Sequence, residues 1–201
     1  MARVGIINYG VGNLGSLVNA FKRVGSEPLI INEPGELLQV DAIVLPGVGS
    51  FDAAMSRLGM FNDELIKVRG SVPILGVCLG LQVMFEGSDE GSLGGLSWYS
   101  GRVNRLKGPR IPHIGWDLVR SVRPCEILSG NGYFYFMHSY AVINPGGDLP
   151  YSGITRYGND NVLSVLCDEK MVTFGVQFHP EKSGRRQGLE VLRRFIGLAH
   201  K

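Results

Sequence analysis

Pro73-Ile74-Leu75-Gly76-Val77-Cys78-Leu79-Gly80-Leu81-Gln82-Val83-Met84-Phe85 is the stretch that decides the fold. Residues 73–77 read as a short buried strand, and the chain runs straight through Cys78 into a second apolar segment, 79–85, that reads as a helix. Glycines at 76 and 80 flank Cys78 in the G-x-nucleophile-x-G form of a strand-to-helix elbow. A nucleophile at such a turn sits on strained backbone, and small residues two positions either side leave room for the chain to fold back. The helix start that follows favours a thiolate and lends backbone N–H groups to an oxyanion. The same segment also suits a buried structural cysteine at a glycine-rich strand end. Both readings stand on this segment alone.

The same grammar runs outward from it. Residues 4–8 form a β-branched run ending at Tyr9-Gly10-Val11-Gly12-Asn13. Leu14, Leu17, Val18, Phe21 and Val24 then recur at helical spacing, with Asn13 as N-cap and Gly25 as stop. Residues 28–31 and 42–45 read as strands, the second closed by Pro46-Gly47-Val48-Gly49, and a helix starts near Ser50 and passes Met55 and Leu58. Repeated strand–loop–helix units predict a mostly parallel central sheet flanked by helices. From Gly101 the chain is richer in strands: 102–106, 116–119, 134–142, and a pair, 162–166 and 171–177, turned by Asp168-Glu169-Lys170. A last helix, 187–199, puts Leu189, Leu192, Phe195, Ile196 and Ala199 on one face. No repeat, low-complexity stretch or linker interrupts 1–201, so the expectation is one α/β domain with antiparallel strand additions in its C-terminal half.

Composition narrows the function classes. The 201 residues are 44% hydrophobic and 19% charged, a globular mixture rather than a disordered one. A net charge of +2, from 20 basic and 18 acidic side chains, is too balanced to argue for nucleic acid or an anionic membrane. Glycine, at 29 residues, has about twice its usual ~7% share, so many turns are tight or approach something closely. No apolar run nears the ~20 residues that span a bilayer, and the apolar N-terminus is too short for a signal peptide. Cys78, Cys125 and Cys167 are odd in number and widely spaced, which predicts reduced thiols in a cytoplasm and neither a disulfide framework nor a CxxC metal site. The absence of G-x-x-x-x-G-K-[ST] argues against a nucleotide triphosphatase, and no histidine pair has metal-ligand spacing.

A thiolate nucleophile needs an imidazole. Of four histidines, His200 is set aside at the end of the sequence. His179 lies in Gln177-Phe178-His179-Pro180-Glu181 at the end of the run 172–178. If that run is a strand, its period of two points His179 and Glu181 to the same face, where the carboxylate orients the ring. His138 lacks such a partner. The glycines of Pro46-Gly47-Val48-Gly49 permit a backbone N–H to aim into a cleft at the C-terminal ends of the strands, where ligands of open parallel sheets gather.

Gly76-Val77-Cys78-Leu79-Gly80-Leu81-Gln82, followed about a hundred residues later by His179-Pro180-Glu181, resembles the class I (triad-type) glutamine amidotransferases over nearly the whole chain. Further pieces are similar to a narrower group, the glutaminase subunits of imidazole glycerol phosphate synthases in histidine biosynthesis. They are Tyr9-Gly10-Val11-Gly12-Asn13-Leu14, Pro46-Gly47-Val48-Gly49-Ser50-Phe51, Pro112-His113-Ile114-Gly115-Trp116, His138-Ser139-Tyr140 and His179-Pro180-Glu181-Lys182-Ser183.

The resemblance implies that Cys78 attacks the glutamine side-chain amide, His179 shuttles protons and Glu181 orients His179. It implies an oxyanion hole from the Leu79 N–H and one N–H of Gly47, Val48 or Gly49. Gln82 and Glu90 then hold the amino-acid end of glutamine, and Ser139 and Tyr140 bind its carboxylate through backbone groups. It further implies no cofactor and a heterodimer in which ammonia passes to a (β/α)8-barrel synthase subunit. Asn13, Pro112, His113, Trp116 and Lys182 match positions facing that partner, although Trp116 reads equally well as core. Asn8 stands where many relatives carry aspartate. Two other readings compete: a glutaminase serving another synthase, such as the one making pyridoxal phosphate, and a non-catalytic α/β scaffold. Pro112-His113-Ile114-Gly115-Trp116 and Lys182-Ser183 oppose the first, and the joint retention of Cys78, His179 and Glu181 opposes the second.

Overall fold

The structure, a computed structural model, describes residues 1–10 and 13–199; Val11, Gly12, His200 and Lys201 lie outside the described residues. Its strands are β1 (Arg3–Ile7), β2 (Glu27–Ile31), β3 (Ala42–Leu45), β4 (Ile74–Val77), β5 (Gly87–Ser88), β6 (Arg102–Arg105), β7 (His113–Ser121), β8 (Gly132–His138), β9 (Tyr140–Ala141), β10 (Tyr151–Tyr157), β11 (Asp160–Asp168) and β12 (Thr173–Val176). The α-helices are α1 (Leu14–Arg23), α2 (Phe51–Leu58), α3 (Asn62–Val68), α4 (Leu79–Gln82) and α5 (Leu189–Leu198).

Among the described residues, nine strands form one sheet in the order β2-β1-β3-β4-β12-β11-β10-β7-β8. From β2 to β12 neighbours run parallel, and from β12 to β8 they run antiparallel. β5, β6 and β9 make a small second sheet. Strand alternation divides the core between the two faces of the main sheet. Val4, Ile6, Ala42, Val44, Leu75 and Val77 pack with Leu17 and Phe21 of α1 and Leu192 and Phe195 of α5. Ile7, Ile43, Leu45 and Ile74 pack with Phe51, Ala54 and Leu58 of α2 and Leu65 of α3. Asn13 caps α1 by accepting from the Ser16 N–H at 3.3 Å.

Several elements depart from expectation. The helix expected over 79–85 is the single turn α4, and Gly95, Leu96 and Trp98 N–H groups bond to carbonyls of 83–86 beyond it. The strand expected over 134–142 breaks at Ser139: β8 stays in the main sheet, whereas β9 pairs with β6. β10 carries too little apolar character in Ser152-Gly153-Ile154-Thr155-Arg156 to announce itself. Pairing with β11 and β7 makes it a strand, a tertiary override of local propensity.

The expected reduced thiols are also corrected. Cys125, in the loop after β7, and Cys167, in β11, form a disulfide with Cα atoms 6.0 Å apart, leaving Cys78 free. Their 42-residue separation hid the pairing, because only the folded sheet brings that loop onto β11. Closing a loop of that length restricts the unfolded chain by about 2–4 kcal/mol. Reduction, or the double change Cys125→Ser with Cys167→Ser, is therefore expected to lower Tm by about 4–16 °C. An unchanged melt with and without reductant contradicts this.

Candidate active site

Cys78 sits between β4 and α4 with φ of +51° and ψ of −105°, a region that L residues rarely occupy. The flanking glycines are dictated by backbone approach. A Cβ on Gly76 would run into the backbone of Gly80, and one on Gly80 into the Leu45 carbonyl. Gly47 is equally constrained, because a Cβ there would collide with the Val77 carbonyl and the Leu79 nitrogen. The 46–49 turn and the elbow are thus packed backbone against backbone. Tyr9, fully buried, donates its hydroxyl to the Pro46 carbonyl and ties this turn to the end of β1. Burial first, and then the proximity of Cys78, pushes the Tyr9 phenol well above its ordinary range, so it remains a donor.

β12 runs beside β4, and the Cys78 N–H donates to the Val176 carbonyl at 2.7 Å. This pairing brings Gln177 and His179 alongside Cys78. His179 Nδ1 lies 2.8 Å from Glu181 Oε1, with the two side chains only 2% and 4% exposed. The contact does not arise from strand alternation. β12 ends at Val176, and Pro180–Lys182 forms a 3-10 turn that folds Glu181 back onto the ring. Ser183 braces the turn, accepting from the Tyr135 N–H at 2.9 Å and donating to the His179 carbonyl at 2.6 Å.

With Nδ1–H directed at Glu181, Nε2 is the nitrogen left for chemistry; it is buried without a hydrogen-bond partner of ordinary geometry. Burial, the largest single influence, pulls the His179 pKa down. The neighbouring Cys78 sulfur and Glu181 carboxylate outweigh it and raise the pKa to about 10. Raised from 6.5, the charged ring stabilises the fold fully below pH 6.5 and loses that contribution as pH climbs toward 10. His138 is the opposite case: burial and the nearby His113 push it down to about 3, which keeps it neutral.

A cavity of about 250 Å³ opens over the Cys78 sulfur. It is lined by Gly47, Val48 and Gly49 on one side, Leu79, Gln82 and Glu90 below, and Pro112, Met137, His138, Ser139 and Tyr140 opposite. The break at Ser139 explains the last group, since the chain crosses from one sheet to the other directly over the elbow. Glu90 Oε2 accepts from the Phe51 N–H at 2.9 Å, which anchors it to the start of α2. Gln82 Nε2 donates to the Tyr140 carbonyl at 2.7 Å.

Residues 6–198 match the family model "Glutamine amidotransferase class-I". Curated relatives named "Imidazole glycerol phosphate synthase subunit HisH" include one from Pyrobaculum aerophilum, 40% identical with 98% of each chain covered. Another, from Pyrococcus furiosus, is 41% identical and covers 97% of this chain and 98% of its own. The chain belongs to the class-I glutamine amidotransferase family. Solved structures carry the likeness at the level of fold alone. "Structure of PurLQS from Thermotoga maritima" aligns with a TM-score of 0.78 at 18% identity, covering 98% of this chain and 99% of that one. A "glutamine amidotransferase" crystal structure aligns with a TM-score of 0.75 at 20% identity, covering 98% and 99%.

Within this amidotransferase fold, Cys78, Leu79, Gly47, Val48, Gly49, Gln82, Glu90, Ser139 and Tyr140 meet at one cavity, with His179 and Glu181 behind the sulfur. The residues expected at a partner face divide. Asn13, Pro112, Trp116 and Lys182 are exposed, and Trp116, at 55%, is no core residue. His113 instead turns inward at 4% exposure, stacked between Phe136 and Tyr157, so it presents no side chain to a partner. The sequence pattern assigns Gln177 no role, yet its Nε2 lies 3.4 Å from the Cys78 sulfur. The available signal was its spacing, two residues before His179. Asn8 holds the turn after β1 by accepting from the Gly10 N–H at 3.2 Å and donating to Asn32 at 2.9 Å. Among the described residues, no helix is long and apolar enough to cross a membrane.

Proposed function

We propose that this chain is the glutaminase subunit of an imidazole glycerol phosphate synthase, with Cys78 as nucleophile, His179 as proton shuttle and Glu181 as its orienting carboxylate. The observation that carries the reading is a free cysteine on a strained elbow, faced by a carboxylate-paired histidine, at the floor of a cavity sized for one amino acid. The Cys78 thiolate adds to the glutamine Cδ, and the oxyanion is met by the Leu79 N–H and one from Gly47, Val48 or Gly49. The C–N bond then breaks, with His179 donating its proton to the departing ammonia. Water, giving its proton back to His179, opens the γ-glutamyl thioester and releases glutamate. Gln82 and Glu90 hold the α-ammonium end, and Ser139 and Tyr140 hold the carboxylate. Acid quenching of a reaction with labelled glutamine is expected to leave label on the Cys78 peptide; a stable complex with no covalent label contradicts the covalent route.

His179 must carry a proton for ammonia to leave, so activity falls as pH rises through its pKa. Glu181→Gln removes one of the groups that hold this pKa up. The alkaline limb of the kcat/KM profile is therefore expected to move to lower pH. An unmoved limb contradicts Glu181 as the orienting group.

The partner in this reading is a (β/α)8-barrel synthase subunit that consumes the ammonia, in a cytoplasmic heterodimer. The outer face of the β7–β8 ribbon supports it. Ile114 pairs with Met137, Trp116 with Tyr135 and Leu118 with Tyr133. Ile114, Trp116 and Tyr133 are 56%, 55% and 57% exposed, an apolar face on a ribbon whose β8 strand also lines the cavity through Met137 and His138. Lys182 lies 5.9 Å above the Tyr135 ring on the same face. Trp116→Ala is expected to weaken binding of the barrel subunit by at least about 30-fold, as loss of an aromatic anchor does. Calorimetric titration showing an unchanged Kd contradicts this docking face.

A further inference from the structure

A chain of polar contacts runs from the β7 ribbon to the nucleophile. It starts at His113, whose Nδ1 lies 3.3 Å from His138 Nε2. The Asp117 carboxylate, 3.3 Å from His113 Nε2, stays outside it. Burial lowers the His113 pKa, and a neutral ring donating from Nδ1 has no hydrogen on Nε2. His138 Nδ1 is 2.9 Å from the Tyr140 carbonyl, which accepts from Gln82 Nε2 at 2.7 Å. Gln82 Nε2 is also 3.2 Å from Gln177 Oε1, and Gln177 Nε2 reaches the Cys78 sulfur at 3.4 Å. His113, His138, Gln82 and Gln177 are 4%, 6%, 4% and 0% exposed. Buried polar groups are costly unless each is satisfied, so an unbroken chain ending at the reacting atom is an expensive feature for packing alone to retain.

The donor directions are determined from the inside out. A carbonyl faces His138 Nδ1, so that nitrogen carries the hydrogen. Because the ring is neutral, Nε2 is left to accept from His113 Nδ1–H. His113 is held for this by stacking at 3.9 Å on Tyr157 and 4.8 Å on Phe136. Two carbonyl oxygens take both hydrogens of Gln82 Nε2, one from Tyr140 and one from Gln177. The Gln82 atom left to meet a substrate is therefore Oε1, an acceptor, the right sign for an α-ammonium group. Gln177, its oxygen occupied by Gln82, turns its N–H to the sulfur.

We propose that His138 and Gln177 are positioning residues for glutamine binding. Gln177 holds the Gln82 carboxamide directly, His138 holds it through the Tyr140 carbonyl that both share, and His113 orients His138 from the β7 strand. The proposal rests on the glutaminase reading and adds residues that act through Gln82 rather than on the substrate.

The test is saturable alkylation of Cys78 by the glutamine-shaped electrophile 6-diazo-5-oxo-L-norleucine, compared with the shapeless electrophile iodoacetamide. His138→Leu and Gln177→Leu are expected to raise the half-saturating concentration of the glutamine analogue at least tenfold. In His138→Leu the maximal rate and the iodoacetamide rate stay within threefold, whereas Gln177→Leu also slows iodoacetamide because the sulfur loses a donor. His138→Asn, which restores an N–H near the Nδ1 position, returns saturation to within threefold of the unaltered chain. A folded His138→Leu that saturates normally overturns the proposal. If His138→Leu does not fold, His113→Phe keeps the ring stack and removes the donor to His138. A threefold or larger rise then supports the proposal, and no rise overturns it. If the unaltered chain shows no preference for the glutamine analogue over iodoacetamide, the glutaminase reading itself fails, and the proposal with it.

Discussion

Cys78→Ser is expected to reduce glutamine hydrolysis by at least about ten-thousand-fold while leaving the thermal melt close to that of the unaltered chain. A serine fits the volume at this 5% exposed position and inherits the same backbone geometry. It does not inherit the chemistry. A thiol ionises readily beside a cationic imidazole, whereas a hydroxyl must be deprotonated by a neutral base as it attacks. The buried Glu181 carboxylate, 2.8 Å from His179 Nδ1, continues to favour the charged ring and works against that base role. Steady-state glutamate release measures the effect. Activity within a hundredfold of the unaltered chain contradicts Cys78 as nucleophile.

His179→Ala is expected to cost at least about a thousand-fold in kcat/KM, against no more than about thirty-fold for His138→Ala. His138 lines the cavity and His179 does not, and their surroundings separate them further. His179 is paired with a carboxylate and held charged, able to give and retake a proton at Nε2. His138 is flanked by a second histidine and a carbonyl and stays neutral across the working range, with both ring nitrogens engaged. Its loss is expected to act on KM. The reverse ranking, measured on folded variants, means that the base has been misassigned.

How much of this was legible in the sequence depended on the range of the cause. The elbow was legible because its cause is local: glycines at 76 and 80 are demanded by the backbone atoms that pass within van der Waals reach of them. The parallel half of the sheet was legible for a similar reason, since each of its strands carries a dense apolar run. The proximity of Glu181 to His179 was expected for a different reason from the one observed, namely strand alternation in place of the 3-10 turn. Long-range causes were illegible. No local pattern marks Cys125 as the partner of Cys167, and Tyr151–Tyr157 becomes a strand only between its neighbours. His113 gave a pattern suited to an interface, yet β7 alternation sends it inward and leaves Ile114 and Trp116 outside. Gln177 was in view beside His179, but a carboxamide gains meaning only from what surrounds it, here a sulfur and a second carboxamide.

The most direct test of the glutaminase reading is glutamate release from glutamine, measured first with this chain alone and then with a (β/α)8-barrel synthase subunit and its phosphoribosyl nucleotide ligand. The account predicts slow release by the chain alone and a strong rise in the mixture, with the rise abolished by Cys78→Ser. No glutamate release in either condition, from a folded chain bound to that subunit, contradicts it.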